Sequence, residues 1–288
     1  MKPETIVPAG DGHEQGMPMG AADAGAAHRA QAADRKDAAC EAFDPSDWAW
    51  EFLRRNPHYA AAWRASAPRR LPIVTLADGT LLLRLRRRYP LAEHWGLYVL
   101  ADPSRRARDV PVFWLPTIAR RTIRAGCRIA ASPTIAGAFT LARFTAARSA
   151  VIGVDGIPVV SLKGDGVSVG LAARGWHVLT RPAAITFELD AFDDIGAQAE
   201  CIKLLQRFSE VDDLRKIGRS PWASDERLRH TLTALDGKSY REIAIMIFGE
   251  ERVIEDWNGA SRFMKDRVRR LVAKGHDLMD GGYRELLR

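Results

Sequence analysis

The C-terminal fold is decided by residues 238–274, which read KSYREIAIMIFGEERVIEDWNGASRFMKDRVRRLVAK. Near its start, Ser239 is followed three residues later by Glu242, which is the pattern of a capping box. In a capping box the two side chains accept hydrogen bonds from backbone amides at the beginning of a helix. A helix is therefore predicted after Ser239, and it should stop at Gly249, because glycine readily adopts the conformation that ends a helix.

Another helix is predicted further along the chain, over residues 261–274, SRFMKDRVRRLVAK. At 100° per residue, its apolar side chains form one stripe and its charged side chains form the opposite face. The stripe consists of Met264, Val268, Leu271 and Val272, and the opposite face of Arg262, Asp266, Arg269 and Arg270, flanked by Lys265, Arg267 and Lys274. Six cations and one acid on one helix suit the phosphates of DNA, and a guanidinium suits the edge of guanine. The same pattern also fits a solvated amphipathic helix held by Glu/Arg pairs.

A third helix is predicted before these two. Leu228, Leu232 and Leu235 recur at helical spacing, Ser224 can cap the start, and Asp236-Gly237 ends the element. Three helices in this order are typical of a helix-turn-helix DNA-binding domain.

The connector between the helix after Ser239 and the helix over residues 261–274 departs from the usual helix-turn-helix pattern. Residues 250–260, EERVIEDWNGA, are predicted to form a long loop, whereas the usual turn has about three or four residues. Trp257 is expected to tie this loop to the core. The acidic side chains of the loop would repel DNA if they faced the same way as the arginines; they are Glu250, Glu251, Glu255 and Asp256.

Nine residues of this region are predicted to contact DNA. Two basic residues at the start of the helix after Ser239 are expected near phosphates, and the remaining cations belong to the helix over residues 261–274. The predicted set is Lys238, Tyr240, Arg241, Arg262, Lys265, Arg267, Arg269, Arg270 and Lys274.

A pair of short helices is predicted at residues 44–63, DPSDWAWEFLRRNPHYAAAW. Asp44 can cap the first helix, Pro45 suits its first position, and Asn56 followed by proline starts the second helix. The aromatic side chains of this pair are expected to form either core or a protein-contact surface. They are Trp48, Trp50, Phe52, Tyr59 and Trp63.

A small, mainly antiparallel β layer is predicted over residues 71–190, so the fold class is α+β. LPIVTL and TLLLRLR flank Asp78-Gly79 and predict a hairpin, although arginines at every second residue also suit a helix edge. Further predicted strands are WGLYVL, CRIAA, FTLARF, IPVVSL, WHVLT and AITFEL, and the glycines of GDGVSVG predict a turn between two strands. Beyond Leu189 the spacing becomes helical, from Ile195 to Phe208.

The domain organisation predicted from these patterns has four parts. They are a disordered tail at 1–42, an N-terminal region at 43–124 that begins with the helix pair, the β layer at 125–190 and the helical variant helix-turn-helix domain at 191–288. With 47% hydrophobic residues, the 288-residue chain can form a packed core. A membrane-spanning run and a secretory signal are both missing from the sequence, so the expected compartment is the cytoplasm.

The charges are unevenly distributed along the chain. Residues 1–53 carry 4 Lys/Arg and 10 Asp/Glu, whereas residues 54–128 carry 16 Lys/Arg and 4 Asp/Glu. This asymmetry predicts a polyanion or an acidic protein surface as partner. A general compositional bias toward arginine on solvated faces is the alternative explanation.

Enzymatic activity is not expected. The 3 cysteines lie far apart and are expected to be buried, inert thiols, and the 7 histidines lack the spacing of a metal site. GDGVSVG matches neither the dinucleotide-binding nor the P-loop spacing. No catalytic residue, metal or cofactor is therefore predicted.

The sequence resembles a family of bacterial regulators. KSYREIAIMIFGEERV and DWNGASRFMKDRVRRLVAKGHDLMDGGYRELL look like domain of unknown function 2285, a variant helix-turn-helix. WAWEFLRRNPHYAAAW is similar to the transcriptional-regulator-like domain that precedes it in full-length members, and WGLYVLADP with VFWLP resembles the linking segment.

This resemblance implies a role in integrative and conjugative elements. Full-length members of the family activate excision and transfer genes, and short single-domain relatives are antiactivators that bind the activators. Because both domains are present here, the resemblance implies an activator that binds promoter double-stranded DNA on the nucleoid. An activator must also contact RNA polymerase, and an antiactivator is the other expected partner. The alternative is an antiactivator-like regulator that uses the same cationic helix on an acidic protein surface.

Overall fold

The computed structural model describes residues 43–68, 71–131, 138–164, 166–190, 194–211, 217, 225–237, 239–257 and 262–288. The predicted disordered tail, residues 1–42, lies outside the described residues.

Two short helices begin the described chain, as predicted: α1, Pro45–Leu53, and α2, Pro57–Ser66. The Asp44 carboxylate accepts hydrogen bonds from the backbone amides of Ser46 and Asp47, at 2.6 and 2.9 Å. The Asp47 carboxylate in turn accepts from the Asp44 amide at 3.2 Å, which completes a capping box. Proline at the first position of each helix is well tolerated, because that amide needs no partner within the helix.

Within the described residues, a seven-stranded mixed sheet follows, in the spatial order β1-β2-β4-β5-β6-β3-β7. The strands are β1 Ile73–Thr75, β2 Leu81–Arg84, β3 Thr122–Ile129, β4 Ala147–Ile152, β5 Pro158–Lys163, β6 Ser168–Arg174 and β7 Ala183–Glu188. Neighbouring strands are antiparallel except in the β2–β4 and β3–β6 pairs, which are parallel. The predicted α+β fold with a mainly antiparallel β layer is confirmed. The two parallel pairs join strands that are distant in sequence, which local turn signals do not indicate.

Two of the predicted turns are present. Asp78-Gly79 joins β1 to β2 as a hairpin, and Gly79 has a φ of 87°, in the left-handed region that glycine adopts without strain. The glycines of GDGVSVG join β5 to β6, where the Gly164 amide donates to the Val167 carbonyl at 2.8 Å and Gly166 has a φ of 74°.

Three predicted strands are wrong. Residues 95–100 form only an isolated bridge between Leu97 and Trp114, and FTLARF and WHVLT contain 3-10 helices at Leu141–Arg143 and Trp176–Leu179. Leu97, Leu141 and Val178 of these segments are buried in the core without forming a ladder, whereas Trp176 is exposed. A short apolar run is compatible with burial in any backbone conformation, so its composition alone does not identify a strand.

The two faces of the sheet pack against different layers. On one face, helix α4, Ile195–Glu210, buries Leu205 and Phe208 against the sheet, in the same cluster as Val160 and Leu171. On the other face, Leu83, Val151 and Val159 pack against Val99 and Phe113. The thiols of Cys127 and Cys201 are buried, as predicted, and burial raises the pKa of each. The third cysteine, Cys40, lies outside the described residues.

The remaining helices are α3 Pro90–His94, α5 Glu226–Asp236, α6 Tyr240–Phe248, α7 Glu250–Asp256 and α8 Phe263–Met279, followed by a 3-10 helix at Gly282–Leu287. One hydrophobic cluster joins the N-terminal helices to this C-terminal part. It contains Trp48, Trp50 and Tyr59 together with Leu232, Leu278 and Tyr283. The predicted domain boundaries remain a prediction, and this core extends across them.

Candidate nucleic-acid interface

Helices α5 and α6 begin and end close to the predicted positions. The Ser239 hydroxyl accepts a hydrogen bond from the Glu242 amide at 3.2 Å, as expected for the capping residue of α6. At the start of α5 the cap is Asp225, whose carboxylate accepts from the Arg227 and Leu228 amides. Ser224, the predicted cap, lies outside the described residues.

The connector between α6 and α8 is not the long loop that was predicted. Its first seven residues form α7, which is anchored by the fully buried Val253. Two acidic residues in the first turn, Glu250 and Glu251, favour this helix because they interact with its positive end. Trp257 follows α7, is half-buried and packs against the cluster of Val253, Met264 and Val268, as its expected anchoring role requires. Residues 258–261 lie outside the described residues.

The apolar stripe of α8 holds the helix on this cluster. Met264 and Val268 are buried, and Leu271 and Val272 are half-buried, as the helical spacing predicts. In the C-terminal half of α8, Gly275, Leu278 and Met279 are buried, and a Cβ at Gly275 would lie 2.9 Å from the Leu235 side chain and 3.1 Å from the Thr231 carbonyl. Lys274 and Asp277 of this half remain exposed, and most cations of the charged face belong to the N-terminal half.

The charged face of α8 is exposed, as predicted. Arg262 and Arg270 are exposed and form no ion pair within the described part of the chain. Arg269 lies 3.5 Å from the Asp266 carboxylate, and both side chains are largely exposed. Such a pair contributes little to stability and is easily exchanged for another anion.

The flanking cations of α8 are partly engaged. The Lys265 ammonium lies 5.3 Å from the centre of the Trp257 ring, and the Arg267 guanidinium lies 5.1 Å from the centre of the Phe248 ring. Further along the helix, the Lys274 ammonium pairs with Asp277 at 2.6 Å. These three side chains are less available than Arg262 and Arg270 for a new anion.

The acidic residues of α7 do not neutralise this face. Glu250, Glu251, Glu255 and Asp256 are all exposed. Within the described residues, Asp256 is the member of this group that forms an ion pair, and its partner is Arg252 of the same helix, at 3.8 Å. Over the same described residues, the arginines of α8 therefore form no ion pair with the carboxylates of α7.

Three predicted DNA contacts lie outside α8. Tyr240 and Arg241 are exposed in the first turn of α6, and neither forms an ion pair within the described ranges. Lys238 lies outside the described residues. Whether these residues contact DNA together with α8 stays a prediction.

The aromatic residues proposed as a protein-contact surface are core residues. Trp48, Trp50, Phe52 and Tyr59 are fully buried, and Trp63 is half-buried against the same cluster. The Trp50 indole donates to the Arg105 carbonyl at 3.1 Å, and the Tyr59 hydroxyl donates to the Ala101 carbonyl at 2.8 Å. The core interpretation of this cluster is therefore correct, and the protein-contact surface is wrong for the four buried residues, because the folded chain already covers them.

The described residues contain neither a candidate metal site nor a candidate membrane-spanning helix. There, no group of three or more His, Cys, Asp or Glu side chains is arranged to hold a metal ion. Nor does any described helix have the length and apolarity to cross a membrane.

Comparison with known families gives two matches. Residues 193–288 match a family described as "T6SS, Transcription factor, DNA binding domain", and residues 27–98 match a "Proteobacterial transcriptional regulator-like domain". No curated protein matches the chain. The N-terminal match agrees with the expected regulator-like domain, whereas the C-terminal match carries a different description from the expected domain of unknown function. Together the two matches support a DNA-binding transcription regulator.

Proposed function

We propose that this protein is a transcriptional activator that binds promoter DNA with the N-terminal half of α8 in the major groove. The observation that carries the proposal is the exposed charged face of α8, in which Arg262 and Arg270 have no ion-pair partner within the described residues. Cations with no intramolecular partner are available to replace the counterions of DNA phosphates.

The packing of α8 suits this role. Met264 and Val268 anchor one side of the helix, and the opposite side is exposed to solvent. The major groove of DNA, about 12 Å wide, admits an α-helix and offers guanine edges to arginine side chains. In the chain, α8 follows α5 and α6, as the recognition helix follows the other helices in helix-turn-helix proteins.

The finer assignments rest on the family resemblance drawn from the sequence. We propose that the target genes are excision and transfer genes of an integrative and conjugative element, and that the protein acts in the cytoplasm on the nucleoid. RNA polymerase and an antiactivator are its proposed protein partners. We propose no catalytic activity, because no residue of the sequence has a recognisable catalytic setting.

DNA binding is tested by titrating the full-length chain into fluorescent duplex DNA at several salt concentrations. The affinity should fall steeply with salt, with a slope of about 0.9 in log–log units for each phosphate contact. The double variant Arg262→Ala/Arg270→Ala should bind more weakly and with a smaller slope. The matched control Lys203→Ala/Arg207→Ala removes the same charge from exposed positions of α4.

Two results contradict this part of the proposal. The first is an affinity that does not depend on salt, and the second is an equal loss in the α8 and α4 variants. If the full-length chain binds no DNA at low salt, the protein-binding regulator becomes the better hypothesis.

The activator role needs a separate experiment. Chromatin immunoprecipitation with sequencing identifies the bound promoters, and transcription from one of them in vitro is then measured with purified RNA polymerase. We expect more transcript when the protein is added, and less when Arg262 and Arg270 are replaced. A decrease on addition of the wild-type protein identifies a repressor instead.

A further inference from the structure

In the N-terminal half of α8 the exposed face contains one carboxylate, that of Asp266. Its neighbours on the helix surface are Arg262, four residues before it, and Arg269 and Arg270, three and four residues after it. The Asp266 side chain is 51% exposed, and its ion-pair contact in the described residues is with Arg269, at 3.5 Å. That distance is at the outer limit of a hydrogen bond, so the carboxylate is only loosely held.

A carboxylate at this place opposes contact with the DNA backbone. Phosphates carry negative charge and offer no hydrogen-bond donor, so an acid that faces them is repelled. The edges of the bases differ, because cytosine presents its N4 amino group as a donor in the major groove. An acid in the middle of a cationic ridge is therefore compatible with DNA binding if it faces a base and the surrounding arginines face the phosphates.

We infer that Asp266 is a specificity-determining residue that accepts a hydrogen bond from the N4 amino group of a cytosine. This inference rests on the proposed function of α8. Asp266 lies in the first turn of α8, and recognition helices contact bases with their N-terminal residues. Ala273, two turns further on the same side, is exposed and small, so it leaves room for the helix to approach the groove.

A purely structural role for Asp266 makes different predictions. An acid in the first turn also stabilises the positive end of its own helix. Replacing it then changes thermal stability but leaves the preferred DNA sequence unaltered. Sequence preference is therefore the measurement that separates the two roles.

The experiment is in vitro selection from a library of random duplex DNA with four full-length proteins: wild type, Asp266→Asn, Asp266→Ala and Asp277→Asn. Asp277 is the matched control, because it lies on α8 with an exposed carboxylate that pairs with a cation. We expect a preferred cytosine in the wild-type motif that persists with Asp277→Asn. With Asp266→Asn this position should change toward adenine, whose edge matches an amide, and with Asp266→Ala it should lose its preference.

Affinity measurements on the selected duplex and on a scrambled duplex of the same composition complete the test. We expect Asp266→Ala to bind the scrambled duplex more tightly than wild type and to lose about tenfold in discrimination between the two. The inference is overturned if all four proteins select the same motif. If the wild-type protein enriches no sequence, the proposed function fails together with the inference.

Discussion

The side-chain amide of Asn56 donates a hydrogen bond to the backbone carbonyl of Met279 at 3.0 Å, across 223 positions of sequence. The same amide group donates to the Asp280 carboxylate at 3.1 Å, while the Asn56 side-chain oxygen accepts from the His58 and Tyr59 amides. One buried side chain thus caps α2 and satisfies a carbonyl at the end of α8. The orientation of the proposed DNA-binding helix is therefore tied to the N-terminal helix pair.

The first prediction concerns this link. Replacing Asn56 with Asp keeps the cap of α2 but removes both donated hydrogen bonds and places a second carboxylate beside Asp280. We expect the free energy of unfolding to fall by about 2–4 kcal/mol, because the buried Met279 carbonyl loses its donor and a buried negative charge gains no counter-ion. Urea unfolding measures this. The control Asp225→Asn, at the more exposed cap of α5, should change stability by less than about 0.5 kcal/mol, and equal losses in the two variants contradict the prediction.

The second prediction concerns the shared core. A fragment of residues 191–288 loses the partners of Leu232, Leu278 and Tyr283, which are buried beside Trp48 and Tyr59 in the full-length chain. Exposing each of these side chains costs about 1.5–3 kcal/mol, so the fragment should unfold over a broad range at lower temperature and bind a hydrophobic dye. Circular dichroism on heating checks this. A sharp transition at the temperature of the full-length protein contradicts it.

The third prediction concerns pH. Burial, together with the neighbouring Asp44 carboxylate, raises the pKa of Asp47 from its ordinary value of 3.8 to about 6, against the opposing effect of Lys163. Between pH 4 and 6 the folded chain therefore keeps a proton that the unfolded chain has lost, and stability falls as pH rises through this window. The stability of the wild-type protein relative to Asp47→Asn should decrease by about 1–3 kcal/mol from pH 4 to 7.

Urea unfolding at a series of pH values measures this difference. Asp190→Asn is a suitable control, because it removes an exposed carboxylate whose pairing with Arg124, itself exposed, contributes little. A difference between wild type and Asp47→Asn that stays constant across the window is the contrary result.

The fourth prediction separates two arginines of α8. Arg267 lies over the Phe248 ring, whereas Arg270 has no ion-pair partner in the described residues. Arg270→Ala should lower the salt slope of DNA binding by about 0.9 and leave stability unchanged. Arg267→Ala should instead cost about 0.5 kcal/mol of stability and affect DNA binding less. Anisotropy titrations and thermal unfolding of both variants decide this, and the opposite order of effects refutes it.

Much of the candidate site is foreseeable from local patterns. The cap at Ser239, the end of α6 before Gly249 and the buried stripe of Met264 and Val268 all follow from spacing along one helix. The sequence does not predict helix α7, because the usual helix-turn-helix has a short turn there. Seven residues are also too few to show a clear helical repeat of apolar side chains. The anchoring contact of Val253 is a tertiary one, and it is what makes this short helix persistent.

For the aromatic helix pair, the sequence leaves open which residues cover the aromatic side chains. The sequence around Trp48 and Tyr59 predicts amphipathic helices but not what covers their apolar side. The structure covers them with residues 92–114 and with the C-terminal Leu278, Tyr283 and Leu287. Burial depends on the whole chain, so a core and a docking surface have the same sequence signature.

The sequence by itself determined most of the helices, the caps at Asp44 and Ser239 and the charge of the exposed side of α8, because these depend on residues within about one or two turns of each other. Only the tertiary structure decided the parallel strand pairs, the burial of the tryptophans and the bond from Asn56 to Met279. Those features join residues far apart in the chain, and their stability comes from solvent exclusion and pairing that exist only once the distant segments have met.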